Sequence, residues 1–294
     1  MKTYFSLFLL VLSFTLLGQD DAYKTFKDTR VINSQSVETL PKGKLDVRIS
    51  HRFGDLAGDN GGFATFYGLE NASDISIGAN YGVTDRFMIG LHRSKGAGVM
   101  PSGSSGLRQL LNAAFKLNIS RQSSEGAPVS ATLYGLSSFS TQQKLEGLGT
   151  ETLVASFPEF NHRFAFHASL ILARKFSKGF SLQVIPAYTH RNLVFFEDKN
   201  GMMSIAAATR IQLTKNLGLI GEITLPLIDS RTTDLGYYPA VGVGLEIDTG
   251  GHIFQINLTN ATALMETDYI PYTTSSWSKG QFRMGFTISR WFNL

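Results

Sequence analysis

The chain has 294 residues, of which 43% are hydrophobic, 12% aromatic and only 17% charged, with a formal charge of +4. So small a basic excess excludes the polybasic footprint of a nucleic-acid binder, and the charged fraction falls short of the ~25% usual in soluble domains. There is no cysteine, which excludes disulfides, thiolate metal sites and a lipoprotein anchor.

The chain opens "MKTYFSLFLLVLSFTLLGQDD". Lys2 precedes an apolar run from Tyr4 to Leu17, which then gives way to Gln19, Asp20 and Asp21. That is the layout of a secretory signal peptide, and the run is too short for the ~20 residues of a membrane-spanning helix. Residues 1–18 are therefore read as a leader cut near Gly18, whose removal takes away one lysine and no acid. Residues 19–42 alternate poorly. They read as a segment lying beneath or inside the domain formed by residues 43–294, with Pro41, Lys42 and Gly43 forming the entry turn to it.

From Gly43 on, the apolar residues recur at every second position, the mark of strands with two unlike faces. In "KLDVRISHRF" Leu45, Val47, Ile49 and Phe53 oppose Lys44, Asp46, Arg48, Ser50 and Arg52. "DISIGANYG", "RFMIGLHR", "LNAAFKLNIS", "VSATLYG" and "RFAFHASLIL" repeat the pattern. So do "GFSLQVIPAYTH", "MSIAAATRIQL", "LGLIGEITL", "AVGVGLEI", "HIFQINLT" and the closing "QFRMGFTISRWF". These are about twelve segments, many near the ~9–11 residues of a tilted membrane strand. The links between them alternate in length. Short ones at 83–86, 177–179, 215–216 and 248–251, with a somewhat longer 121–128, are interleaved with long ones at about 54–73, 96–106, 140–162, 191–201, 228–236 and 261–279. Short periplasmic turns and long outer loops are the habit of bacterial barrels. The predicted fold is all-β: a single antiparallel up-and-down transmembrane barrel of about twelve strands. Gly78, Gly90, Gly218, Gly242 and Gly244 fall on the polar face, where small residues let a wall curve. The competing reading is a secreted soluble β-sandwich that binds a ligand. It would need all these apolar faces to meet in one core.

The stretches "TRVINSQSVETLPKGKLDVRISHRFGD" (29–55), "YGLENASDISIGANYGVTDRFMIGLHRSK" (67–95), "LEIDTGGHIFQINLTNATALMETDYI" (245–270) and the closing "GFTISRWF" resemble a family of uncharacterised outer-membrane β-barrels of Bacteroidota-type bacteria. The resemblance implies a single barrel in the outer membrane and carries no established activity or catalytic residue.

With apolar faces toward lipid, parity assigns Arg48, Arg52, His92, Arg108, Lys116, Arg163, Arg210, Glu222, Glu246 and Arg283 to the lumen. Their basic bias favours a narrow path for a small anionic solute. The plainer reading has the acids pair with arginines and fill the interior. A barrel that binds a small molecule or acts as a scaffold fits the same pattern. On the last strand Phe282, Met284, Phe286, Ile288 and Phe292 are expected to face lipid. Phe292 near the end resembles the aromatic signal read by the barrel-assembly machinery, although Asn293 and Leu294 come after it.

One enzymatic alternative exists. His167 and Ser169 stand two apart, similar to the His-x-Ser arrangement of outer-membrane lipid hydrolases. Parity turns both away from lipid, and no acid lies close behind them in the chain, so a non-enzyme is expected. "DTGGH" (248–252) reads as a hairpin turn rather than a phosphate cradle. "GDLAGDN" (54–60) reads as a solvated loop rather than a calcium site. No metal or other cofactor and no nucleic-acid partner is expected; the expected partners are outer-membrane lipid, the assembly machinery and a small anion.

Overall fold

A computed structural model describes residues 24–97, 107–147, 153–196 and 198–294. The expected leader, and most of the loop at 96–106, lie outside the described residues. The alternating segments become twelve antiparallel strands: β1 (Lys44–Phe53), β2 (Ala72–Gly82), β3 (Phe87–Ser94), β4 (Leu110–Ser120), β5 (Ser130–Ser140), β6 (Phe164–Ser177), β7 (Phe180–Arg191), β8 (Gly201–Gln212), β9 (Leu217–Leu227), β10 (Ala240–Asp248), β11 (His252–Thr259) and β12 (Arg283–Asn293). Each pairs with its sequence neighbours, and β12 returns to pair with β1, closing the sheet. Closure leaves no unpaired strand edge, which a β-structure in lipid requires.

The wall sorts its side chains by parity. Ile77, Leu91 and Ile256 point outward and are 54%, 56% and 54% exposed, whereas Asp46, Asp74, Asn112 and Ser289 on the inner side are buried. An outward apolar band around a polar interior is the arrangement that a bilayer demands. Short turns such as 83–86 and 249–251 sit at one end, with Gly250 at φ +85° in the β10–β11 hairpin, so "DTGGH" is a turn. The long connections gather at the other end. Among them, residues 260–282 carry a short helix, α1 (Glu266–Tyr272), every residue of which is buried.

The segment before β1 is also buried. It enters at the short-turn end, where Lys44 N–H donates to the Pro41 carbonyl (3.1 Å) and Gly43 takes φ +75°. This entry turn lies so close to the end of β2 that a Cβ on Gly82 would meet the Pro41 carbonyl at 2.1 Å. Only glycine fits there.

Candidate functional site

Residues 24–40 occupy the lumen. Phe26, Val31, Ile32, Val37, Asn33, Ser36 and Leu40 are each at most 3% exposed. The middle of the segment folds as a small hairpin: Arg30 bridges Gln35, Val31 N–H donates to the Ser34 carbonyl (2.9 Å) and Ser36 N–H to the Thr29 carbonyl (2.9 Å). A hairpin this small leaves most of its backbone groups unpaired, and in a buried place they must find partners. The barrel wall supplies them.

On β9 the Glu222 carboxylate accepts the backbone N–H groups of Ile32 (3.3 Å), Asn33 (2.8 Å) and Ser34 (3.0 Å) and the Ser34 hydroxyl (2.7 Å). On β4 the Lys116 ammonium donates to the carbonyls of Thr29 (2.6 Å), Ser36 (2.9 Å) and Glu38 (3.3 Å). Arg48 of β1 forks onto the Asp28 carboxylate, with 2.9 Å on one arm, and also reaches Asp46 at 3.0 Å. Arg52 reaches Asn33 Oδ1 (2.7 Å), Thr132 of β5 donates to the Val37 carbonyl (2.6 Å), and Gln183 of β7 to the Gln35 carbonyl (2.8 Å). Gln255 of β11 donates to the Arg30 carbonyl (3.0 Å). The segment is thus held from many sides by wall side chains and acts as a plug.

A second insert meets the plug from the long-loop end. Leu264 N–H donates to Asp74 of β2 (2.9 Å), and Ser138 of β5 bonds Thr267 (2.7 Å). The two inserts touch where Arg30 pairs with Glu266 (3.0 Å) and donates to the Leu264 carbonyl (2.8 Å). Gln35 and Tyr134 add hydrogen bonds to the same carboxylate, at 3.1 Å and 3.3 Å. Charge-assisted bonds of this kind are the strong ones in a low-dielectric interior. Nearer the rim, Asp198 bridges Arg231 (2.6 Å) and Arg191 (3.1 Å). Arg231 also donates to the Pro271 carbonyl (2.7 Å), and Arg191 to the Tyr272 hydroxyl (3.1 Å), so this cluster fastens α1 to the loops. Burial would raise the Asp198 carboxyl, but the two guanidiniums outweigh it and hold it below the usual carboxylate range.

Arg48, Arg52, Lys116, Arg210, Glu222, Glu246 and Arg283 lie buried on the inner face. His92 faces the same way, its Nε2 2.9 Å from Asn80 Oδ1. Arg210 pairs with Glu246 at 2.6 Å, and Arg283 donates to the Asn260 carbonyl at 2.8 Å. Three expected positions differ. Arg108 is exposed and precedes β4, because Gln109 turns through φ +55° and breaks the alternation. Arg163 ends a 3-10 turn at the long-loop rim, where it lies 4.3 Å over the Phe157 ring and donates to the Gln142 carbonyl (2.6 Å). Phe282 stops one residue short of β12 and stacks on Trp277 with ring centroids 4.6 Å apart. Met284, Phe286, Ile288 and Phe292 lie on the outer side of β12, the first three half-buried and Phe292 39% exposed.

His167 and Ser169 are buried on the inner wall of β6, and His167 Nδ1 lies 2.9 Å from Thr189 Oγ1. Both line an internal pocket together with Glu266, Tyr269 and Ser34. That pocket is closed in by the inserts, away from lipid, with room for about one water. Parity assigns no face to Asp28, Arg30 and Glu266, which lie outside the alternating segments, whereas Asp74, the first residue of "DISIGANYG", shares that segment's polar face. The signal available for the plug was the cluster of Thr29, Asn33, Ser34, Gln35 and Ser36, short polar side chains in a stretch without alternation.

Against known proteins, residues 26–292 match the family described as membrane bound beta barrel domain (DUF5777). No curated protein matches the sequence. Among solved structures, the NanC porin aligns with a TM-score of 0.46 at 9% identity, covering 85% of this chain and 100% of that one. The KdgM porin gives 0.46 at 7%, covering 84% and 98%. The COG4313 outer membrane channel from Pseudomonas putida F1 gives 0.45 at 15%, covering 87% and 98%.

Proposed function

The chain belongs to the membrane bound beta barrel domain family (DUF5777), and from that premise we propose that it is a gated outer-membrane channel for a small solute, closed in this state by its own plug. The observation that carries the reading is the way the plug is held. Its contacts to Glu222, Lys116, Arg48 and Arg52 are hydrogen bonds and one ion pair, made by side chains that water can serve equally well once the plug withdraws.

Withdrawal would leave Arg48 without Asp28, Arg52 without Asn33 and Lys116 without its three carbonyls. Arg48 would keep Asp46 and Glu222 would lose its plug donors, so three cations, one of them still paired on the wall, stand against one released acid, a balance that favours an anionic solute. Planar-bilayer recording on the purified protein tests the reading. Brief openings that become frequent when the plug is weakened support it, and silence in every variant contradicts it.

In the same reading the short turns and the end of β12 face the periplasm. Phe292 then stands at the inner interface, where aromatic girdles form, and the last strand is the stretch the barrel-assembly machinery reads. Deletion of residues 291–294 is expected to impair assembly. The protein is read as a channel and not an enzyme, since His167 and Ser169 lie under the plug rather than against lipid; equal, null lipid hydrolysis by the wild type and Ser169→Ala would bear on that directly.

A further inference from the structure

The inner wall is not uniformly polar. On five consecutive strands the inward positions include Leu136 (β5), Ile171 (β6), Ile185 (β7), Ala206 and Ala208 (β8) and Ile220 (β9), and these form one buried apolar cluster. Elsewhere around the barrel the inward positions carry Asp46, Arg48 and Arg52 on β1, Lys116 on β4 and Gln255 on β11. The lumen therefore carries an apolar patch on β5–β9, set among polar inward groups such as His167, Gln183, Arg210 and Glu222, and a charged patch on β1 and β4.

The plug matches both patches. Its Phe26, Val31, Ile32 and Val37 belong to the apolar cluster, while the carboxylate of Asp28, two residues from Phe26, is gripped by Arg48. The plug thus presents an apolar body and an acid to a surface built for that combination. A passage for small ions needs no apolar patch, and a bare apolar wall opposes the entry of water. Something must cover that wall when the plug is out.

We propose that the open lumen takes an amphipathic anion, a hydrocarbon or ring skeleton bearing one carboxylate, with its apolar part against β5–β9 and its acid on Arg48 and Lys116. Phe26 and Asp28 hold the places of tail and acid in the closed state. This deepens the channel reading and rests on it.

The test uses the full chain carrying Asp28→Asn and Glu222→Gln to weaken the plug, recorded in planar bilayers, with heat-modifiable gel migration confirming the barrel for each variant. Linear carboxylates from acetate to decanoate and the matching alcohols are added as blockers of the ion current. Block is expected to strengthen about three- to fourfold per added methylene, the gain from burying one such group. Adding Ile171→Thr and Ile185→Thr should flatten that dependence. Adding Arg48→Gln, or Lys116→Met where Arg48→Gln fails to fold, should erase the preference for carboxylate over alcohol. Channels that conduct but show no length dependence, or one that the wall substitutions leave untouched, overturn the amphipathic ligand and leave the channel standing. Channels silent in every variant overturn both.

Discussion

Replacing Glu222 with Gln tests how the plug is held. The carboxylate accepts three successive backbone N–H groups and a hydroxyl from the tip of the plug hairpin. Gln offers one acceptor oxygen and turns an NH2 toward amides that have nothing to accept with. Hydrogen bonds to a charged group contribute about 1.5–3 kcal/mol each, and buried donors left unmet cost a similar amount. Some of the four contacts survive on the remaining oxygen, so the net loss is roughly 2–4 kcal/mol. At 1.4 kcal/mol per tenfold, that raises the population of the undocked plug by roughly 30- to 1,000-fold. The barrel itself should be indifferent, because the backbone of β9 keeps its ladder with β8 and β10 on either side of this residue. Hydrogen exchange reads the local opening directly. The amides of Ile32, Asn33 and Ser34 should exchange faster by that factor, while those of β9 stay protected. Equal exchange at these amides in wild type and Glu222→Gln would mean that Glu222 does not hold the plug. Faster exchange throughout β9 would mean that Glu222 holds the wall instead.

The same geometry has other consequences. Arg30→Ala and Glu266→Ala should each loosen the meeting of the two inserts by about 3–5 kcal/mol, since each leaves a buried charge unpaired. The double variant should cost less than the sum, as a double-mutant cycle on plug-amide exchange would reveal. Asp198 is a carboxylate held low, so the stability it gives the rim cluster is full above its unfolded value near 4 and is lost as pH falls through its lower folded value. Protease cleavage within 192–200 should therefore stay slow down to about pH 4 and rise below it, and Asp198→Asn should cleave readily at neutral pH. Ile288, at the middle of β12 on its outer side, should cost roughly 2–4 kcal/mol when changed to Arg, as measured by folding titrations into vesicles. A neutral result there would place that face away from lipid.

The sequence was most legible where one physical demand acts alone. In β1 the outward Leu45, Val47 and Ile49 alternate cleanly with the inward Asp46, Arg48 and Ser50, which meet polar groups. Parity fails just outside the strands, at Arg108, Arg163 and Phe282, where a left-handed residue, a 3-10 turn and a ring stack replace the pleat. On β5–β9 both faces are apolar at several positions, such as Ile185 beside Val184, because the inner side packs on the plug instead of water. The plug was only half legible. Its want of alternation said it was not wall, but its place in the lumen depends on partners far away in sequence, Arg48, Lys116 and Glu222, that no local pattern connects. The same holds for Asp28 and Glu266, the acids that pair with Arg48 and Arg30. Helix α1 has seven residues and contains Pro271, too short and too broken to announce itself.

In the proposed function, movement of the plug controls passage through the barrel. A Cβ placed on Gly242 of β10 would lie 3.1 Å and 3.2 Å from two side-chain carbons of Ile32 at the plug tip, a spacing that a disulfide can bridge. The chain has no other cysteine to compete. Single-channel recording on the full chain carrying Ile32→Cys and Gly242→Cys, first oxidised and then reduced in the same bilayer, is the most direct measurement. No openings are expected while the link is intact, and openings should return on reduction. Openings of the same size and frequency in both states would contradict control by the plug.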